Sequence, residues 1–235
     1  MLWYQFIDDK LQGNQLIGAN IIGTPASVQL NWQSQSVLVN NVDIGGGVIH
    51  SLLSIWFSQE GILHQVNPAT QTWPDFWIPI NTTNGIVNMP IEVKSFKKGA
   101  SPAFDISDFD LYIRSITQDP NKLNCDYLIF EYEVLPTGVV LTQYWWKKVW
   151  QIVGRKKNTY LVTTQNRERN GVYIPNNLRP FKFFSSKATT HHINSRLEFA
   201  QLLNSTCLNF YPTTHSPTWL SNLSQNYLMM TSEVL

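Results

Sequence analysis

Tyr127-Leu128-Ile129-Phe130 is an unbroken run of large apolar residues. Successive side chains of a strand point to opposite faces, so a strand with no polar alternation is covered on both. Such a strand lies in the middle of a sheet that carries layers on either side. The segments around the run alternate between strand and helix patterns, which predicts an α/β protein with one central mixed β-sheet flanked by helices.

Residues 1–44 mix short apolar runs such as Val37-Leu38-Val39 with Gln, Asn and Gly, and read as short strands and loops. Gly45-Gly46-Gly47 reads as a break, and no Gly-Lys-Ser/Thr follows it, so it is not a phosphate loop. In 48–59, Val48, Leu52, Ile55, Trp56 and Gln59 fall near helical spacing and predict a mostly buried helix that stops at Gly61. Residues 75–80 read as extended chain, Asn84-Gly85 as a hairpin turn, and 91–96 as an alternating strand with Ile91, Val93 and Phe96 apolar and Glu92 and Lys94 polar. Ser107-Asp108-Phe109-Asp110 has the form of a capping box and opens a helix to about Ser115. YWWKKVWQIV, 144–153, reads as an amphipathic helix ended by Gly154. Residues 160–162 and 172–174 read as short strands around a polar turn, and Ser195 with Glu198 opens a last helix.

Composition bounds the class. Of 235 residues, 43% are hydrophobic and 14% charged, against about 25% charged in a typical soluble domain. That balance excludes wholesale disorder. The length suits a single domain spanning 1–235. No apolar run approaches the roughly 18 residues of a membrane-crossing helix, and Asp8 and Asp9 interrupt any leader pattern at the start. Cys125 and Cys207 match no metal spacing and are expected to be reduced thiols of a cytoplasmic protein.

The residues with the most chemical content are Asp75, at the start of one strand, and Glu92-Val93-Lys94 on the next. Glu92 and Lys94 lie at i and i+2 and project from one face. If the strands pair as a hairpin, Asp75 comes beside Glu92. Two carboxylates and the backbone carbonyl of Val93 make a hard oxygen site for Mg²⁺. Lys94 is then placed to hold or activate a water beside a phosphate. The competing reading is a solvated strand face with a weak ion pair. It loses ground because the pair sits among hydrophobic strands in a charge-poor chain.

With its helix–strand–strand–helix–strand order, this arrangement resembles the PD-(D/E)xK nuclease superfamily over roughly residues 48–165. IEVKSFKKGASPAFDISDFDLYIRSI, CDYLIFEYEV, WKKVWQIVGRKK and NLRPFKF look like small type II restriction endonucleases. The resemblance implies a restriction-endonuclease-like core with Asp75, Glu92 and Lys94 catalytic and Asp75, Glu92 and Val93 holding Mg²⁺. An acid from the preceding helix often joins the metal in this superfamily, and Glu60 is the candidate here, although it also reads as a surface acid at a helix end. Lys97 and Lys98 could touch phosphates or form a solvated turn, whereas Asp105, Asp108 and Asp110 read as helix capping.

Charge is unevenly spread. Residues 1–100 carry a net −2, 101–145 carry −5, 146–200 carry +9 and 201–235 carry −1. The basic stretch suggests a polyanion partner, although opposite charges meeting inside the fold would give the same count. Lys147, Lys148, Arg155, Lys156 and Lys157 are candidates for phosphate contacts. Gln165, Asn166, Arg167 and Arg169 form a turn that reads either as a base reader, since these side chains hydrogen-bond base edges, or as a hydrophilic hairpin loop, and Arg179 follows as a further DNA-contact candidate. His191-His192 has no accompanying metal or dyad spacing and reads as loop. The resemblance implies a Mg²⁺-dependent type II restriction endonuclease acting on double-stranded DNA, with a homodimer as the usual assembly. A structure-specific repair or junction nuclease of the same superfamily is the alternative enzyme. A non-catalytic carbohydrate-binding module is the alternative outside enzymes.

Overall fold

The computed structural model describes residues 3–13, 21–32, 35–39, 45–69, 72–83, 85–136, 138–186, 188 and 191–235. The chain divides into two compact units, one of residues 1–100 and 126–146, the other of 101–125 and 147–235.

The first unit is built on a six-stranded sheet. Its order is β1 (Pro25–Ala26), β9 (Gly138–Lys148), β8 (Asp126–Leu135), β6 (Gly85–Lys97), β5 (Phe76–Thr82) and β4 (Gln65–Val66). β5 and β6 form an antiparallel hairpin, whereas β6 and β8 run parallel, so the sheet is mixed. β8 carries the apolar run, and Tyr127 to Phe130 are all buried, as a central strand requires. A separate ribbon pairs β2 (Val28–Trp32) with β3 (Gln35–Val39), which contains Val37-Leu38-Val39. Asn84, half of the expected turn signal, lies outside the described residues; its neighbour Gly85 adopts φ +114.

Helix α2 (Gly45–Gln59) packs on this sheet through Ile49, Leu53, Trp56 and Phe57, which meet Phe76, Ile78, Ile91, Leu128 and Phe130. Two expectations are corrected here. The triple glycine is the first turn of the helix rather than a break. The buried stripe runs through 49, 53, 56 and 57, leaving Ile55 exposed. Gly61, at φ +69, ends the helix region in a conformation that costs glycine little.

The N-terminal stretch is corrected as well. Residues Gln5–Gly13 form helix α1, with Ile7 and Leu11 one turn apart and fully buried. Trp3 donates from Nε1 to buried Asp126 at 2.5 Å, and Tyr4 stacks on Trp146 at 4.3 Å between ring centroids. The expected helix at 144–153 is mostly strand. β9 runs to Lys148, and only Val149–Ile152 make a helical turn, α4. The aromatic residues of YWWKK fit a pleated surface beside β8, and that context outweighs helical spacing.

The second unit contains a three-stranded sheet ordered β10 (Thr164–Arg169), β11 (Val172–Leu178) and β7 (Ser107–Asp108). It also holds α3 (Phe109–Gln118), α5 (Arg196–Phe210) and α6 (Trp219–Thr231). The α3 cap is Asp108, which accepts from Leu111 N, one residue beyond the expected Ser107. Ser195 caps α5 as expected, accepting from Glu198 N at 3.1 Å. Residues 165–169, expected as a polar turn, are strand. The turn falls at Asn170-Gly171, both at positive φ (53° and 78°), as a two-residue hairpin demands. Among the described residues no helix is long and apolar enough to cross a membrane.

Candidate active site

The site lies in the first unit and is set by strand register. Phe76 pairs with Ile91, so Asp75 and Glu92 fall opposite each other just where β5 begins. Asp75 N donates to Ile91 O at 3.1 Å, and its Oδ2 accepts from Val93 N at 2.7 Å. Lys94 Nζ donates to Glu92 Oε1 at 2.7 Å. The structure therefore brings Asp75, Glu92, Val93 and Lys94 together.

Burial gives this cluster its chemistry. Glu92 is 8% exposed and pairs in register with Tyr127 of β8, while Lys94 pairs with Ile129. Phe96 shares that face by strand parity and stacks on Trp145 at 5.6 Å, which corrects the expectation that it sides with Ile91 and Val93. Burial foremost pushes the Glu92 carboxyl up to about 7; nearby Asp75 adds to the rise and Lys94 opposes it. Glu92 Oε2 is buried with no hydrogen-bond partner. An orphaned carboxylate oxygen in a dry site is costly unless a cation or substrate group completes it.

Val93 adds a third oxygen. The N–H and C=O of a residue leave a strand along the same edge. The Val93 amide goes to Asp75, so its carbonyl leaves on the same side, beyond the first residue of β5. Among the described residues no three His, Cys, Asp or Glu side chains converge on a metal position. Two carboxylates and a carbonyl would leave the remaining coordination to water and substrate, which is how Mg²⁺ is usually held. The donor set fits the ion.

Glu60 follows α2 and pairs with Lys10 at 3.0 Å. His50, also on α2, lies beside Asp75, with Nε2 3.8 Å from Asp75 Oδ1 and the ring stacked on Phe76 at 4.4 Å. Ten residues of helix rise separate it from Glu60, roughly 15 Å. Reading the sequence did not single out His50. The available signal was a polar residue at i, i+3, i+7 spacing with Leu53 and Phe57 on the buried stripe.

The basic candidates divide sharply. Lys98 pairs with Glu133 at 2.9 Å on the surface of the first unit, and Lys97 is exposed. In the second unit Arg155 is bound to Glu198, and Lys148 Nζ donates to Asn124 O at 2.6 Å. Arg179 donates to Gln165 and Ala103 O and pairs with Asp105 at 3.1 Å. Asn166 accepts from Thr164 at 2.7 Å. Lys156, Lys157, Arg167 and Arg169 are exposed, and Lys147 is half-buried.

Comparison with solved structures shows which class of protein this fold defines. The chain matches the NlaIV restriction endonuclease with a TM-score of 0.80 and 26% identity, over 100% of this chain and 92% of that one. The mixed sheet with its flanking helices is thus a restriction-endonuclease fold. In sequence, the type II restriction enzyme NlaIV of Neisseria lactamica is 33% identical over 149 residues, covering 63% of this chain and 58% of that protein. The type II restriction enzyme NgoBV of Neisseria gonorrhoeae is 28% identical over 149 residues, covering 63% of this chain and 80% of that protein. The family model described as NgoBV restriction endonuclease matches residues 6–235, and the chain belongs to that family.

Proposed function

We propose that this protein is a type II restriction endonuclease that hydrolyses phosphodiester bonds of double-stranded DNA at a short specific sequence, with Mg²⁺ as cofactor. The single observation that carries the reading is the Asp75–Glu92–Lys94 cluster with its buried, unpartnered Glu92 oxygen. Mg²⁺, when bound, supplies charge neutralisation at the phosphate and acidifies water. Asp75 and Glu92, with the Val93 carbonyl, would hold it. Lys94 orients the attacking water through its ammonium, itself fixed by Glu92. The water oxygen bonds to phosphorus as one of its protons passes to solvent, the P–O3′ bond breaks, and the leaving O3′ takes a proton from a solvent water, so the products are a 5′-phosphate and a 3′-hydroxyl.

For DNA contacts the proposal narrows to the exposed cations and half-buried Lys147. Lys97, Lys147, Lys156 and Lys157 would neutralise phosphates. Arg167 and Arg169, with Asn166, lie on β10 towards the turn, where among the described residues the sheet narrows to the β10–β11 pair, a shape that a major groove admits. The chain passes between its two units three times, so neither unit is one contiguous segment, which supports reading 1–235 as one nuclease domain. A homodimer matches a palindromic site by symmetry. Cys125 and Cys207 are buried and outside any disulfide, which suits a reducing cytoplasm.

The test is digestion of a plasmid of known sequence with Mg²⁺ and mapping of the ends. Discrete fragments with 5′-phosphates are expected. EDTA stops the reaction, and Ca²⁺ supports binding without cleavage. Cleavage in chelator, or a smear with no preferred site, would overturn the proposal.

A further inference from the structure

The two oxygens of Asp75 have different neighbours. Oδ2 is fixed by a backbone amide of the adjacent strand at 2.7 Å. Oδ1 faces His50 Nε2 at 3.8 Å, beyond a direct hydrogen bond but closed by a shift of less than about 1 Å. The His50 ring cannot turn at will, because it lies nearly parallel to Phe76 (23° between planes, 4.4 Å between centroids). Phe76 itself is fully buried and begins β5, the residue after Asp75. One turn further on, Leu53 anchors the same helix face in the core. His50 is therefore presented to Asp75 by two rigid elements, α2 and β5.

From this geometry we infer that His50 is a positioning residue for Asp75, donating from Nε2 to Oδ1 so that the carboxylate is held from both sides when it takes a divalent cation. The inference rests on the proposed metal role of Asp75. His50 does not enter as a ligand, since no three-side-chain cluster forms there among the described residues. It acts through the carboxylate. A carboxylate clamped on one oxygen alone swings about that bond, and outer partners of metal ligands typically contribute 10–100-fold in affinity or activity. The stack on Phe76 keeps the donor aimed while Glu92 and the Val93 carbonyl complete the oxygen set.

The experiment measures Mn²⁺ binding to the DNA-free protein by electron paramagnetic resonance, alongside kcat and KM for cleavage of a plasmid substrate. His50→Phe keeps an aromatic ring against Phe76 and removes the donor. It is expected to weaken Mn²⁺ binding about 10-fold or more and to lower kcat, with KM for DNA changed little. His50→Gln, which restores an N–H donor at similar reach, is expected to recover most of both. Mn²⁺ affinity within about twofold of the parent in folded His50→Phe would overturn the inference, and so would His50→Gln no better than His50→Phe. If His50→Phe does not fold, His50→Gln against His50→Leu decides by the same measure. Asp75→Asn separates the two levels of the argument: unchanged Mn²⁺ binding in that variant removes the metal role of Asp75 itself, whereas a loss there with no effect of His50→Phe removes only His50.

Discussion

The hairpins β5–β6 and β10–β11 have the same local design and opposite surroundings. Both are antiparallel and carry ionisable residues near one end. In β5–β6 a third strand, β8, runs alongside, and Glu92 is 8% exposed. Among the described residues, the end of β10–β11 near the turn has no such neighbour. Arg167 and Arg169 are exposed, and the residues across from Glu168 and Arg169, Tyr173 and Val172, stand 63% and 59% exposed. Burial gives a carboxylate a perturbed affinity for protons and cations, whereas exposure leaves an arginine ready for a partner surface. The contrast teaches that the same strand pairing can bury its charges, as the proposed catalytic hairpin does, or leave them exposed, as the proposed recognition hairpin does.

The largest expected effect breaks the comparison at the buried hairpin. Asp75→Ala, Glu92→Ala or Lys94→Ala each removes a group proposed to act on the metal or water, and cleavage should fall by about 10³-fold or more. DNA binding in Ca²⁺ should persist, and full cleavage by Glu92→Ala would end the assignment.

A smaller effect tests burial directly in the metal-free protein. The folded state holds the Glu92 carboxyl near 7, above its ordinary 4.5, chiefly through burial. A raised folded value means the fold favours the neutral acid. Its contribution is intact at low pH, declines as pH rises from about 4.5 towards 7, and then levels off. Glu92→Gln should therefore be the more stable protein in EDTA at pH 8, by up to about 3 kcal/mol, with the gap closing near pH 5. Equal melting of the two at pH 8 would show that Glu92 carries no burial penalty.

At the exposed hairpin, Arg167→Ala or Arg169→Ala should cost about 1–3 kcal/mol on the cognate site and little on scrambled DNA. Equal losses on both duplexes would make the ribbon a phosphate clamp. Smallest of all, Lys156→Ala should weaken both duplexes alike and reduce the salt slope of binding by about one counterion. Titrations at two salt concentrations in Ca²⁺ read both.

Period-two patterns were the most legible part of the sequence. The apolar run at 127–130 announced the doubly covered strand, and Glu92 with Lys94 announced a shared face. The hairpin then placed Asp75. Patterns that depend on distant neighbours were not legible. YWWKK has helical spacing and strand-forming aromatics, and the adjacent β8 decides between them. The ribbon at 164–178 was masked because its outward strand is polar throughout, so only Asn170-Gly171 marked the turn. His50 was hidden because a lone histidine on an apolar helix face says nothing about the strand it meets.

The pairing of Phe76 with Ile91 also restricts how chains of this kind drift in length. Glu92 and Lys94 share a face with each other by parity alone. One residue gained or lost between Gly85 and Ile91 would send both side chains to the α2 side and bring Ile91 and Val93 round to theirs, unless a bulge absorbed the change. Two residues would restore the facing. Relatives should therefore vary in this stretch by even numbers or carry a bulge at the site of an odd one.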